Sequence, residues 1–316
     1  MRYLEMGLAF AAVGFVIGNA AISLLTLLLW RSGLPKPRSA GALFLTRMAP
    51  AFGSVGLVLG IVLPAFWAFE PRGTTENAGS ALIALLILAS ALIGIGLYRA
   101  VRCWNDTRRL ERAWTAAAAD RPTTGSPIPA YRVPSNLPFA ALVGVLRPRL
   151  FVSGPFLDSL SPGERQAVMD HEAGHLRSFD NLKRTVMKLS PDWLSLTPVS
   201  REIEAAWAIA AEEAADDHAA GPGGACSLDL AGALLKAARA TPLRCAPVSN
   251  FCDGATIARR VARLLQDPPD GPAPTPTRRA APRFVWILAL VGAGAVLAIP
   301  ALRAAYTLTE AAVRLL

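Results

Sequence analysis

The sequence predicts an α-helical membrane protein in which one α+β domain lies between membrane-spanning helices. Hydrophobic residues make up 53% of the 316 residues and charged residues only 17%, which is rich in apolar residues for a soluble protein. The excess is concentrated in four apolar runs that are long enough for a helix to cross a bilayer. Between the third and the fourth run lies a more polar region with the length of one compact domain.

Three predicted spans precede this polar region and one follows it. The first run has a single charge, Glu5, near its start, and the second contains Pro50 and Pro64, which are expected to bend its helix. The predicted spans are residues 4–30, 48–69, 78–98 and 284–302. The chain is thus divided into an N-terminal membrane domain, a polar domain, a proline-rich linker, and a fourth span with a short tail, at residues 1–103, 104–266, 267–283 and 284–316. A cleaved signal peptide is the alternative for the first run, which is too long for a signal core.

Lysine and arginine residues indicate the orientation of these spans. The connection after the first span has four basic residues and no acidic one: Arg31, Lys36, Arg38 and Arg47. Basic connections stay on the cytoplasmic side of the bacterial inner membrane. We therefore expect a multi-pass inner-membrane protein with both termini outside and the polar domain in the cytoplasm. The net charge of +9 comes mostly from residues that flank the spans and suit anionic membrane lipid, so no direct nucleic-acid partner is expected.

The polar domain is predicted to begin with a small sheet. Its core is expected to start near residue 130, after a stretch at residues 121–138 that is dense in Pro, Ser, Thr and Gly. Two short apolar runs, residues 140–145 and 150–152, are separated by an Arg-Pro-Arg sequence. This is the pattern of two strands joined by a turn.

Helices are predicted to follow the sheet. Ser161 and Glu164 have the spacing of a capping box, which predicts a helix from residue 162 to about residue 178. A second helix is predicted at residues 201–220, before a Gly-Pro-Gly-Gly sequence. A third is predicted at residues 256–265, with its arginines on the surface: Arg259, Arg260 and Arg263.

The first of these helices contains two histidines, His171 and His175, on either side of a glutamate. Histidines four positions apart lie on one face of a helix and can bind the same zinc ion. Glu172 projects about 100° round the helix from His171, where it can take a proton from a water molecule beside the metal. The chain has only three histidines. The pattern therefore predicts a zinc metallopeptidase with one catalytic ion and with Glu172 as its catalytic base.

A catalytic zinc ion usually has three protein ligands, so a third is expected elsewhere in the domain. The helix at residues 201–220 carries two acidic pairs with i, i+4 spacing, Glu212 with Asp216 and Glu213 with Asp217. In either pair the glutamate can bind the metal while the aspartate accepts a hydrogen bond from a histidine ligand. The spacing by itself does not choose between the two pairs.

The third histidine, His218, lies six positions past Glu212. On an ideal helix the two side chains point about 240° apart, so His218 is expected to be a surface residue. The alternative is that it stabilises the negative charge that develops on the substrate.

These residues resemble the BlaR1/MecR1-type integral membrane metallopeptidases (the M56 group) and, more distantly, the Ste24/HtpX-type M48 group. The resemblance covers residues 138–144 and 147–152, the segment 160–182 with its two histidines, and the pattern of residues 257–265. The order of three spans, a zinc domain and a fourth span also agrees with the M56 group. The resemblance implies a zincin-like fold of the gluzincin type for the cytoplasmic domain.

Residue roles also follow from this resemblance. Aligning the Glu-x-x-x-Asp-Asp helix of the M56 group on residues 212–217 implies that Glu212 binds zinc and that Asp216 is its hydrogen-bonding companion, with Glu213 as the less favoured ligand. Asp180, in the segment that resembles the signature, is a further candidate for the site.

The resemblance implies regulatory proteolysis of a protein substrate, such as a transcriptional repressor, at the cytoplasmic face. Antibiotic-sensing members continue after the fourth span into an extracellular penicillin-binding domain, whereas this chain ends shortly after that span. A signal is therefore expected to enter through the spans, the outer connection or a separate sensor protein. The alternatives are an M48-like quality-control protease and a catalytically silent zinc-bound receptor, against which the intact Glu172 argues.

Overall fold

The computed structural model of the protein describes residues 3–71, 80–118, 130–135, 137–221, 224, 226–240, 254–266, 303–304 and 306–311. The predicted linker at residues 267–283 and the predicted fourth span at residues 284–302 lie outside the described residues. The described part is mostly helical with one small sheet, in agreement with the predicted class. Its first helices are α1 (Tyr3–Arg31), α2 (Ala40–Leu57), α3 (Leu63–Phe69) and α4 (Ser80–Ala117).

Three helical stretches are long and apolar enough to cross a membrane: Tyr3–Arg31, Ala40–Phe69 and Leu82–Ala117. Each leaves large apolar side chains exposed, among them Leu8 on α1, Leu59 between α2 and α3, and Ile87 on α4. A continuous exposed apolar surface of this kind suits lipid rather than water. The three N-terminal spans predicted from the sequence thus correspond to helices of a membrane protein.

The second stretch is one continuous helix despite its two prolines. The residues between α2 and α3, Val58–Val62, form a π-helical turn, and Pro64 falls in the first turn of α3. A π-turn accommodates the hydrogen bond that a proline cannot make, so the helix continues through Pro64. It also begins at Ala40, earlier than the predicted span at residues 48–69.

The helix α4 continues far beyond its apolar part, which was predicted at residues 78–98. It runs to Ala117 because the sequence after Tyr98 contains neither glycine nor proline to end it. The polar end of α4 therefore projects past the membrane half and packs against the polar domain.

The sheet has three strands, β1 (Ala130–Val133), β2 (Ala140–Val143) and β3 (Arg149–Ser153), in the order β1-β3-β2. The two predicted strands are β2 and β3, and they pair antiparallel with Ala141 opposite Phe151. The strand β1 pairs parallel with β3 and was not predicted, because it lies within a stretch rich in turn-forming residues. The strand β2 lies at an edge of the sheet.

In the described part of the polar domain, the helices that follow the sheet are α5 (Gly154–Ser159), α6 (Pro162–Arg177), α7 (Asp180–Leu189), α8 (Pro198–Ala220), α9 (Ser227–Ala240) and α10 (Gly254–Leu264). The three predicted helices are α6, α8 and α10. The capping box of α6 is present, since the Ser161 hydroxyl accepts from the Glu164 amide at 3.2 Å and the Glu164 carboxylate accepts from the Ser161 amide at 2.7 Å.

The membrane half and the polar domain share an apolar core. Trp30 of α1 and Met48 of α2 pack in one buried cluster with Met187 of α7 and with Ile203 and Trp207 of α8. The helix α8 is therefore fixed on one side by the membrane-spanning helices.

The segment between α7 and α8 reaches into the membrane half. Asn19, which is fully buried in α1, donates to the Pro191 carbonyl at 3.2 Å, and its side-chain oxygen accepts from the Trp193 amide at 3.1 Å. Asn19 lies about 18 Å along the helix from Arg31. Backbone outside a regular helix, such as that of the segment between α7 and α8, is stable this far inside the membrane half only because its polar groups are paired within the protein.

Arg47 fixes the same segment with a buried ion pair. It was predicted to lie in a basic connection, and this is wrong: Arg47 is part of α2 and its side chain is 2% exposed. Its guanidinium lies 2.9 Å from the buried Asp192 carboxylate and 2.8 Å from that of Glu204. Since α2 begins at Ala40, Arg47 faces the polar domain, where these two acids neutralise it.

Replacing Arg47 with methionine should destabilise the protein strongly, because Asp192 would then be buried without a counter-charge. We expect a loss of about 3–5 kcal/mol in the free energy of unfolding. The matched control is Arg31→Met, which breaks an exposed pair with Glu202 and should cost less than about 1 kcal/mol. Thermal melting in detergent, followed by circular dichroism, measures the stability of both variants. Equal melting temperatures for Arg47→Met and Arg31→Met would contradict this role of Arg47.

Candidate metal centre

The helices α6 and α8 cross closely at Gly174. A Cβ atom at this position would lie 3.1 Å from the Ala215 Cα and 3.2 Å from the His218 Cβ, so even alanine would require the neighbouring atoms to shift by a few tenths of an ångström. The close approach brings the carboxylates of α8 to the histidines of α6. Glycine at position 174 thus suits the close packing of the two helices.

Two histidines and a glutamate converge at this crossing. The Nε2 atoms of His171 and His175 are 3.2 Å apart, and the Glu212 carboxylate oxygens lie 3.6 Å from the first and 3.7 Å from the second. Ligand atoms arranged tetrahedrally around a zinc ion are about 3.4 Å from one another. The His171–His175–Glu212 group can therefore hold one metal ion.

Both histidines are oriented by a buried aspartate on the other side of the ring. His171 Nδ1 lies 3.1 Å from Asp216 Oδ1, and His175 Nδ1 lies 2.8 Å from Asp180 Oδ2. A carboxylate in this position keeps the proton on Nδ1 and leaves Nε2 free to bind a metal. The structure thus places Asp216 beside His171 and gives Asp180, which had no predicted role, the equivalent place at the second histidine.

Asp180 reaches His175 through a sharp turn. Phe179, between α6 and α7, has φ 54° and ψ 38°, in the left-handed region that bulky residues rarely adopt. This conformation makes Asp180 the first residue of α7, directly beside the end of α6. Backbone strain of this kind persists where the surrounding structure determines it, as at a functional site.

Arg260 of α10 completes the centre and was not predicted as a site residue. Its guanidinium makes two hydrogen bonds to the Asp216 carboxylate, at 2.9 and 2.6 Å, and lies 3.0 Å from Glu212 Oε2. The predicted surface position is wrong, because the side chain is 1% exposed. The sequence did contain a signal: Arg260 lies three positions after Ile257 and four before Leu264, on the apolar face of its helix.

The charges of this network shift the pKa values of its members. Burial by itself would lower the pKa of His171, but the neighbouring carboxylates of Asp216 and Glu212 raise it to about 9. Burial would raise the pKa of Glu212 and of Asp216, yet His171 and Arg260 hold both at about 2. Both carboxylates are therefore ionised at neutral pH, as metal ligation and its support require.

Glu172 lies beside His171 and is buried, with a side-chain oxygen, Oε1, that has no hydrogen-bond partner among the described residues. Burial raises the pKa of its carboxyl group, although His171 and His175 oppose the shift. A carboxyl group with a raised pKa next to a metal site is a better proton acceptor than an ordinary glutamate and can later return the proton.

The other acidic pair of α8 faces away from the centre. Glu213 lies 3.1 Å from Arg259, and Asp217 lies 2.9 Å from Arg263, at the surface of α10. His218 is exposed, in agreement with its predicted position. The packing of α8 against α6 and α10 thus places Glu212 beside the two histidines and Glu213 beside Arg259.

A scan of the chain against protein-family models returns no match, and a search of curated proteins also finds none.

The raised pKa of His171 predicts that zinc binding releases protons. At pH 7 the His171 ring of the metal-free protein is in its positively charged form, with a proton on both nitrogens, since its pKa is about 9. A metal binds only the neutral ring. Binding should therefore release about one proton at pH 7, and affinity should rise as the pH increases towards 9. Calorimetric titration with zinc chloride in buffers of different ionisation enthalpy measures this release. We expect a smaller release for Asp216→Asn, and a wild-type heat that does not depend on the buffer would contradict the prediction.

Proposed function

We propose that this chain is a membrane-embedded zinc endopeptidase that hydrolyses peptide bonds of a protein substrate. The observation that carries the proposal is the His171–His175–Glu212 group with the buried carboxyl group of Glu172 beside it. The donor set of two imidazoles and a carboxylate is the one expected for catalytic zinc. When bound, such an ion activates water and polarises the carbonyl group of a peptide bond.

The residues of the chain supply proton transfer and orientation. Glu172 accepts a proton from the attacking water and returns it to the leaving amine, which its raised pKa favours. Asp216 and Asp180 hold the two imidazoles in the orientation that ligation needs. Arg260 keeps Glu212 ionised and in place.

A fourth crossing of the membrane, at residues 284–302, is part of the proposal. The Tyr306 hydroxyl donates to the Glu70 carboxylate at 2.8 Å, and the Tyr306 ring stacks on Phe10. Glu70 follows α3, at the end of the helices far from the polar domain, whereas α10 belongs to that domain. A span at residues 284–302 would connect these two positions, which supports this part of the proposal. The basic residues near the domain favour a cytoplasmic active site in a bacterial inner membrane.

We further propose that the proteolysis is regulatory, with a repressor-like protein as substrate. The resemblance to the M56 group suggests this role. The packing supports it, because α8 carries Glu212 and also packs against α1 and α2. A change in the arrangement of the spans would therefore act on a helix that supplies a metal ligand.

Glu172→Gln should abolish proteolysis and leave zinc binding intact, since the amide cannot accept the proton. We expect cleavage of fluorescently labelled casein by the zinc-loaded protein to fall by about 10²–10⁴-fold. The matched control is Glu213→Gln, the same change at a carboxylate that faces α10, which should retain wild-type activity and zinc content. Equal cleavage by Glu172→Gln and the wild type would overturn the mechanism.

A further inference from the structure

A large groove lies between the polar end of α4 and the turn that joins β2 to β3. Its volume is about 820 Å³, which is in the range of ligand-binding sites. Trp104, Arg108 and Arg112 of α4 line one wall, and Arg147 and Arg149 line the other. We refer to it as the basic groove.

The groove has an excess of positive charge. Among the described residues that line it, four are arginines and one is an acid, Glu111, whose carboxylate lies 3.4 Å from Arg149. Among the described residues, the guanidinium groups of Arg108, Arg112 and Arg147 lie within 4 Å of no carboxylate. A concave surface with unbalanced arginines attracts anions, and the planar guanidinium group matches a carboxylate in particular.

The groove also has apolar surface. The Arg108 guanidinium lies over the Trp104 ring, 4.8 Å from its centre, and Leu146 at the β2–β3 turn is exposed. Alternating aromatic, aliphatic and cationic groups suit a peptide with acidic and apolar side chains better than a small inorganic anion.

The position of the groove argues against lipid headgroups as its ligand. Arg108 and Arg112 lie about 15 and 21 Å along α4 from Tyr98, where the apolar part of the helix ends. The headgroup layer extends only about 5–8 Å beyond the hydrocarbon. The groove is therefore more accessible to a soluble segment of protein than to lipid.

The strand β2 links the groove to the metal centre. Ala140, its first residue, lines the same small cavity as His171, whereas Gly144, just after its end, lines the groove. These two points are about 13 Å apart along an extended chain. The connection is fixed by Asn181, whose amide donates to the Gly144 carbonyl at 2.9 Å, and which directly follows the Asp180 that orients His175.

We propose that the basic groove binds an acidic segment of the protein substrate, about four or more residues from the peptide bond that is cut. The inference rests on the proposed function and adds the substrate class. By holding this segment, the groove raises the local concentration of the scissile peptide at the metal centre.

The test measures binding to the full-length, zinc-loaded Glu172→Gln protein in detergent, so that no cleavage interferes. The probe is a fluorescein-labelled dodecapeptide of glutamate, leucine and phenylalanine, followed by anisotropy. We expect the additional pair Arg108→Glu and Arg112→Glu to weaken its binding by at least about tenfold, and salt to weaken binding to the unchanged groove. The matched pair Arg102→Glu and Arg109→Glu, on α4 but outside the groove, should change the affinity by less than about twofold. Unchanged zinc content of both pairs shows that the fold is retained.

Equal affinities for the two pairs would overturn the inference. The inference would also be overturned if the protein with Arg108→Glu and Arg112→Glu bound the peptide normally but lost affinity for nanodiscs containing phosphatidylglycerol. The arginines would then bind lipid. The proposed function is tested separately, by casein cleavage in proteins that retain Glu172. If Arg108→Glu with Arg112→Glu slows casein cleavage no more than the matched pair does, and the two pairs bind the peptide equally, the groove inference is rejected and the proposed function is not. If the groove substitutions weaken peptide binding but the wild type cleaves no casein, the proposed peptidase function is rejected and the groove inference is not.

Discussion

The contact of Arg260 with Asp216 and Glu212 holds the metal centre together. Two ionised carboxylates, Glu212 and Asp216, are buried beside the histidines, and burial of such charges is unfavourable unless cations balance them. Arg260 supplies one positive charge from within the protein. A bound divalent metal ion would add two more. Without the ion, protonation of His171 partly replaces it, which is the physical reason for the raised pKa of that histidine.

The helix α8 connects this centre to the membrane half. Its first turns carry Glu204, which pairs with the buried Arg47 of α2, and its later turns carry Glu212 and Asp216. The segment before it is held at Asn19, deep in α1. The two halves are therefore joined through a shared core and a buried ion pair. A rigid connection of this type is a physical route by which the spans can affect the ligands.

The parts of the fold that the sequence predicts are those with local signals. The capping box at Ser161 and the spacing of His171 and His175 depend on neighbouring residues, and helix α6 has the predicted form. Glu212 could not be separated from Glu213 by spacing, because the difference arises from how α6 and α8 cross at Gly174. Arg260 was predicted to be exposed together with Arg259 and Arg263, because arginines on a helix usually are, and its partners are 44 and 48 positions away in sequence. Asp180 depends on the unusual backbone of Phe179, which no residue preference indicates.

X-ray absorption at the zinc edge of the metal-loaded protein identifies the atoms that bind the ion. We expect one zinc ion with two imidazole nitrogens at about 2.0–2.1 Å and oxygen ligands at about 2.0–2.2 Å. We also expect His175→Ala to remove one imidazole from the spectrum. A zinc ion with sulfur neighbours at about 2.3 Å, or one whose imidazole scattering survives the loss of His175, would contradict the proposed centre.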